Sequence, residues 1–158
     1  MPGNSSSPAE LPRRPLSLEQ AFTKYLALTD SQTYERADTM NIMVSKLEPE
    51  SLLAVIIVTL KERSYGVANS EKLLTRMSMD IRGACTRAFE VFNHNKPRTR
   101  DEAMQIQDLR KIEKLADLFT RLAFKIRNDK NHKKCNEGLE KIKKALTSKK
   151  KDFLEFEL

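Results

Sequence analysis

Few side chains in this sequence have the types and spacing that chemistry needs. It holds two histidines and two cysteines. His132 and Cys135 stand three residues apart, which would set them on one face of a helix, and His94 and Cys85 are the only further soft ligands. Structural zinc is usually held by a tight pair such as C-x₂₋₄-C, and none occurs, so no metal site is expected. Neither histidine has a nucleophile or an orienting carboxylate beside it in sequence, which leaves little for acid–base or covalent catalysis. With four glycines in all, the chain has no P-loop and no GxGxxG. No catalytic residue and no cofactor are expected.

Lysine and arginine are the chemically assertive residues that remain. Residues Arg121–Lys151 hold 12 of them against 3 Asp and Glu, whereas Met1–Thr120 holds 17 against 16. The basicity behind the net charge of +7 is therefore local. Glu137–Lys141, Glu140–Lys144 and Asp117–Arg121 read as i,i+4 pairs in the favourable acid-first order, each worth ~0.2–0.5 kcal/mol. Setting those three bases aside leaves Lys125, Arg127, Lys130, Lys133, Lys134, Lys143, Lys149, Lys150 and Lys151, opposed chiefly by Asp129. Five of them surround one helix–helix turn, Lys125 to Lys134. Such a band reads first as a solvated face and next as a surface for a phosphate backbone, with RNA ahead of DNA, or for an acidic protein or membrane surface, and it offers no base-reading element. With no Trp and most Phe expected inside, a stacking platform for single strands is not expected.

Two further segments carry a reading. Ser17 ends the basophilic run Arg13-Arg14-Pro15-Leu16-Ser17 and also begins Ser17-Leu18-Glu19-Gln20, a capping box. It is a helix cap first and a candidate phosphosite second. At the other end, Phe153, Leu154, Phe156 and Leu158 alternate with Asp152, Glu155 and Glu157. That acidic–apolar segment is read as docking on its own bundle, as a linear motif for a partner, or as a disordered end. If it folds back, its acids would mask part of the basic edge.

The elements that must position these residues are all helical. A 3.6-residue apolar period recurs from Leu18 to Leu146, and no alternating strand pattern appears. Helices are expected over about Ser17–Thr29, Ser31–Lys46, Glu50–Ser64, Ser70–Asn93, Thr99–Arg127 and His132–Ser148. Pro49 suits the first turn of the third helix. Thr99-Arg100-Asp101-Glu102 reads as a second capping box for the fifth. The centre of the core should be Ser51–Leu60, whose unbroken run Leu52–Val58 is far too short for a bilayer, which needs ~20 residues. The inner side of the second helix is expected at Tyr34, Ala37, Met40, Val44 and Leu47, with Met43 at its edge. In the fourth helix, Gly83 marks a close approach or a kink, and Met79 falls off the stripe. Leu109, Ile112, Leu115, Ala116, Phe119, Leu122, Ala123 and Ile126 span an arc of ~140°, so the fifth helix should touch two neighbours.

The fold class is all-α: a single-domain antiparallel bundle or short irregular stack of about six helices, with residues 50–64 buried at its centre. Residues 1–16 read as a flexible N-terminal tail, 17–148 as the helical domain, and 149–158 as a basic cluster followed by the acidic–apolar segment. No signal-peptide h-region is visible, and Cys85 and Cys135 fit small buried hydrophobes in a reducing compartment. The expected location is intracellular, nuclear or cytoplasmic, and Lys141–Lys151 resembles a nuclear localisation signal. The functional expectation is a non-enzymatic helical adaptor that binds a protein partner while its basic edge contacts nucleic acid. The alternative is a dedicated RNA- or DNA-binding domain acting through backbone electrostatics.

Overall fold

Two of the helix starts are set by side-chain capping. Ser17 Oγ accepts the Gln20 N–H at 3.1 Å while the Ser17 N–H donates to Gln20 Oε1 at 3.0 Å, so both halves of the capping box are made. At Thr99 only one half forms: Oγ1 accepts the Glu102 N–H at 3.1 Å, and the Glu102 carboxylate lies against the hydroxyl, not the Thr99 N–H. The computed structural model describes residues 15–63, 67–92, 98–129, 133–148 and 158. Its helices are α1 (Leu18–Ala27), α2 (Thr33–Ser45), α3 (Pro49–Arg63), α4 (Val67–Phe89), α5 (Arg100–Asp129) and α6 (Lys133–Thr147), with no strand among the described residues. The molecule is the all-α helical bundle that the periodicity implied, and each helix ends within about three residues of its expected bounds except α4, whose end is four residues short.

Side-chain pairings fix how the helices run. Glu71 at the start of α4 meets Arg127 near the end of α5, Ser78 meets Ala116 and Thr120 midway, and Asp117 meets Arg82. Moving forward along α4 means moving backward along α5, so the two are antiparallel over nearly the whole of α4. In contrast, Arg36 meets Asp80 and Asn41 meets Arg87, so α2 and α4 advance together. The larger helix interfaces form a cycle, α1–α2–α4–α5–α6–α3 and back to α1, with α3 also touching α5 across it. In this cycle α6 stands opposite α2.

The core fills the cycle. Phe22, Tyr25, Met40, Leu53, Ile56, Met77, Ile81 and Phe119 are fully buried. On α5 all eight expected stripe residues are buried, together with Leu118, and the broad arc meets α4, α6 and α3. On α6 Cys135, Leu139, Ile142 and Leu146 are buried as expected.

Four expectations need correction. Tyr34 is 82% exposed, while Met43 is buried, because the inner side of α2 is centred on Arg36, Thr39, Met40, Met43 and Val44. The face rotates because Arg36 is drawn inward by Asp80. The α3 run is not enclosed all round. Leu52, Leu53, Ile56, Ile57 and Leu60 face the core, but Ala54 and Val55 are half-buried and Val58 is 54% exposed, because the main neighbours of this helix, α1, α5 and α6, leave that side open among the described residues. Gly83 marks no helix–helix approach, since only the Arg87 side chain lies over it. The glycine that does so is Gly138, where a Cβ would fall inside Leu122 Cδ1 and α6 lies flush on α5.

Candidate functional site

A polar cluster sits where α1, α2 and α4 meet. Asp80 accepts Tyr25 Oη at 2.6 Å and takes the Arg36 guanidinium in a fork, Nε to Oδ2 at 3.1 Å and Nη2 to Oδ1 at 3.2 Å. Arg36 Nη1 also donates to the Asp30 carbonyl at 2.7 Å. Arg76 lies over the Tyr25 ring, 4.7 Å from its centroid, and donates to the Tyr25 and Leu28 carbonyls at the end of α1. It thereby caps carbonyls that a helix terminus leaves unpaired. Burial, reinforced by Asp80, pushes the Tyr25 phenol well above its ordinary range. Asp80, Arg36 and the Tyr25 hydroxyl are bonded to one another, which clamps α1, α2 and α4 together, while Arg76 Nε is buried with no hydrogen-bond partner among the described residues. The signal of the cluster in the sequence was an Arg and an Asp at core-periodic positions in two different helices: Arg36 precedes Met40 by four, and Asp80 precedes Ala84 by four.

The basic turn between α5 and α6 is largely engaged by other groups. Arg127 is paired with Glu71, and Lys134 Nζ donates to Asp129 Oδ2 at 2.5 Å. Asp129 raises the Lys134 ammonium above its ordinary pKa. Lys125 Nζ donates to the main-chain oxygen of Leu158 at 2.9 Å, and Leu158 is half-buried against the core. One end of the acidic–apolar segment is thus held by its own bundle. Lys130, Lys149, Lys150, Lys151, Phe153, Leu154 and Phe156 lie outside the described residues, as does the side chain of Lys133.

Charge is redistributed along α6. Glu140 reaches across to Lys61 at 2.8 Å, and that contact holds its carboxyl below the usual range. Asp117 similarly reaches Arg82 at 2.7 Å. Lys141, Lys143 and Lys144 are exposed, and among the described residues no hydrogen bond or ion pair ties their ammonium groups. The apolar stripe of α6 is buried against α3 and α5, so this helix offers only its charged side to a partner.

On the other side of the cycle lies an apolar groove of about 380 Å³. Its floor is made by two small residues, Ala84 and Ala88, one turn apart on α4. Leu47 and Phe92 close one end, and Val91 stands at the rim, 81% exposed. The polar walls are Asn41 and Ser45 of α2 and Gln105 of α5, and among the described residues Arg87 is the one charged liner. Leu47 has φ 55°, a left-handed conformation that a branched side chain rarely adopts. A second hollow, about 410 Å³ between α1 and α3, is lined by Ala54, Val55 and Val58 but also by Thr23, Thr59, Glu19 and Glu62.

Ser17 caps α1 and is exposed. Both cysteines are buried free thiols. Burial pushes the Cys85 thiol up to about 12, helped by Glu113, and raises Cys135 as well. Thiols held neutral in this way are poor nucleophiles and poor ligands. His94 and His132 lie outside the described residues, among which no cluster of metal-ligating side chains is present. No described helix is long and apolar enough to cross a membrane. Comparison with family models, with curated proteins and with solved structures found no match.

Proposed function

We propose that this protein is a non-enzymatic helical adaptor, holding a protein partner on one side while a basic face contacts nucleic acid on the other. The observation that carries this reading is the opposition of two unlike surfaces. The apolar groove is walled by α2, α4 and α5, and the untied lysines of α6 stand across the helix cycle from α2. An apolar concavity with a few polar liners favours side chains of another protein. Three exposed ammonium groups on one helix, tied by no hydrogen bond or ion pair among the described residues, favour phosphates, through charge and without sequence reading. Arg127 is already paired with Glu71 and Lys134 with Asp129, which supports looking for the polyanion contact on the outer side of α6 as well as at the α5–α6 turn.

The two surfaces are expected to be separable. Binding of unstructured RNA and duplex DNA would be followed by fluorescence anisotropy at 50 and 200 mM salt. Lys141→Glu, Lys143→Glu and Lys144→Glu together should remove most of the affinity, with RNA bound more tightly than DNA, and Val91→Asp should leave it unchanged. For the protein side, a photocrosslinker at position 91 should capture a partner that the same group at position 143 does not. Nucleic-acid affinity that survives the triple charge reversal would sink the basic face. Equal capture from positions 91 and 143 would sink the groove.

A further inference from the structure

We infer that the groove between α2 and α4 takes an amphipathic helix of a partner that carries an acidic residue beside its apolar anchors. This rests on the adaptor reading and specifies the chemistry of its protein ligand. Shape comes first. Ala84 and Ala88 stand one turn, ~6 Å, apart on α4, Val91 follows in the turn just beyond its end, and Asn41 and Ser45 stand one turn apart on the parallel helix α2 alongside. Two parallel helices with alanines between them leave a trough deep enough for side chains. Its length matches apolar anchors spaced one or two turns apart on a docked helix. A volume of about 380 Å³ falls within the range of small binding clefts.

Charge selects the flank of that helix. Among the described residues Arg87 is the only charged liner, and its Nε donates to Asn41 Oδ1 at 2.9 Å. That bond orients, without locking, an exposed guanidinium beside the trough whose terminal nitrogens can receive a carboxylate. No acidic side chain among the described residues lines the groove, so a basic residue on the docked helix would meet repulsion from Arg87. Leu47 supplies the third argument. A bulky residue at φ 55° is held in an unfavourable conformation, and what its place provides is a wall of this groove.

Two twelve-residue helix-favouring peptides would test this, each with leucines four apart and differing only in Glu or Lys on the flank. Titrated into the full-length ¹⁵N-labelled chain, the Glu peptide should shift the amides of Ala84, Ala88 and Val91. Its Kd should be about tenfold below that of the Lys peptide. Arg87→Glu should invert the preference, and Val91→Asp should weaken both peptides by at least about tenfold. Both changes are at exposed positions, and circular dichroism would confirm that the helices persist. Equal binding of the two peptides overturns the acidic preference, and binding by neither, or outside the groove, overturns the docked helix. Sedimentation equilibrium showing a dimer that Val91→Asp dissolves would give the groove to a second copy and overturn the inference. The adaptor reading stands or falls separately, on the crosslink from position 91.

Discussion

Removing one carboxylate should cost this fold more than removing any surface ion pair. Asp80 accepts three hydrogen bonds, from Tyr25 Oη at 2.6 Å and from two nitrogens of Arg36 at 3.1 and 3.2 Å. The side chains of Arg36 and Asp80 are 10% and 12% exposed, so water cannot replace what is lost. Asp80→Ala leaves the Arg36 guanidinium with only the Asp30 carbonyl and leaves the Tyr25 hydroxyl unpaired. Breaking a buried pair by deleting one partner costs ~3–5 kcal/mol. For a chain of this length, ~2–4 °C is lost per kcal/mol, so Tm should fall by roughly 6–20 °C. The half-exposed Lys61–Glu140 pair should by comparison be worth at most ~1 kcal/mol. Urea unfolding followed by circular dichroism measures the loss, with an unchanged m-value showing that the native state is otherwise intact. Replacing the whole cluster by apolar groups of similar size (Tyr25→Phe, Arg36→Met, Asp80→Leu) should recover most of that loss, because no charge is left stranded. Asp80→Ala costing under ~1 kcal/mol, or the triple variant being as unstable as the single one, would refute the reasoning about a buried clamp.

The remaining predictions concern caps, glycines and buried acids. Gly138→Ala should destabilise, because its methyl displaces Leu122, buried at the α5–α6 contact, at an overpacking cost of ~1–3 kcal/mol. Gly83→Ala should instead stabilise by up to ~1 kcal/mol, since only a movable arginine lies over that site and alanine favours helix. Opposite signs in parallel urea titrations would check the pair. Ser17→Ala should cost about 1 kcal/mol through loss of the α1 cap, read in the same assay. Cys85 is held neutral up to about 12 against an ordinary value of 9.0, so the native state binds this proton more tightly than the unfolded chain. Its contribution is complete below pH 9 and is lost as pH rises toward 12, with Tyr25 adding a loss above pH 10. Stability measured between pH 8 and 11.5 should fall, less steeply in Cys85→Ala, and native thiols should react with a disulfide reagent at pH 8 only as fast as the fold opens.

Helix positions were legible because burial imposes a period that single residues cannot hide. The stripes of α5 and α6 could be read residue by residue, since each helix presents a continuous apolar face to its neighbours. The face of α2 was misread because an arginine was assumed to lie outside. Its partner, 44 residues away, is invisible to any local pattern, and only the pair makes the burial affordable in free energy. The charge of the basic turn is subject to the same long-range pairing. Counting charge along the chain finds 12 cations among 31 residues, but Glu71, far off in sequence, neutralises Arg127, and the Leu158 main chain occupies Lys125. Linear charge density describes the unfolded chain, whereas binding responds to what folding leaves unpaired.

Hydrophobicity along the sequence is a similarly indirect guide to where a partner would bind. The most apolar stretch, Leu52–Val58, opens partly onto the hollow between α1 and α3, but that hollow is also lined by two threonines and two glutamates, which favour hydration. Expelling water from it gains little and strips polar groups of their hydration. The end of α4 is less hydrophobic on average, yet Ala84, Ala88, Val91 and Phe92 converge there with Leu47 of the α2–α3 turn in one concave patch. Exposed Met79, Phe124 and Tyr34 are the kind of scattered surface apolar residues that need no partner to explain them. Concavity decides the matter, because a docked side chain loses water on several sides at once only where apolar groups surround it. By that criterion the small residues of α4, which pattern-reading treats as weak core positions, outrank the isoleucine- and valine-rich helix at the centre of the fold.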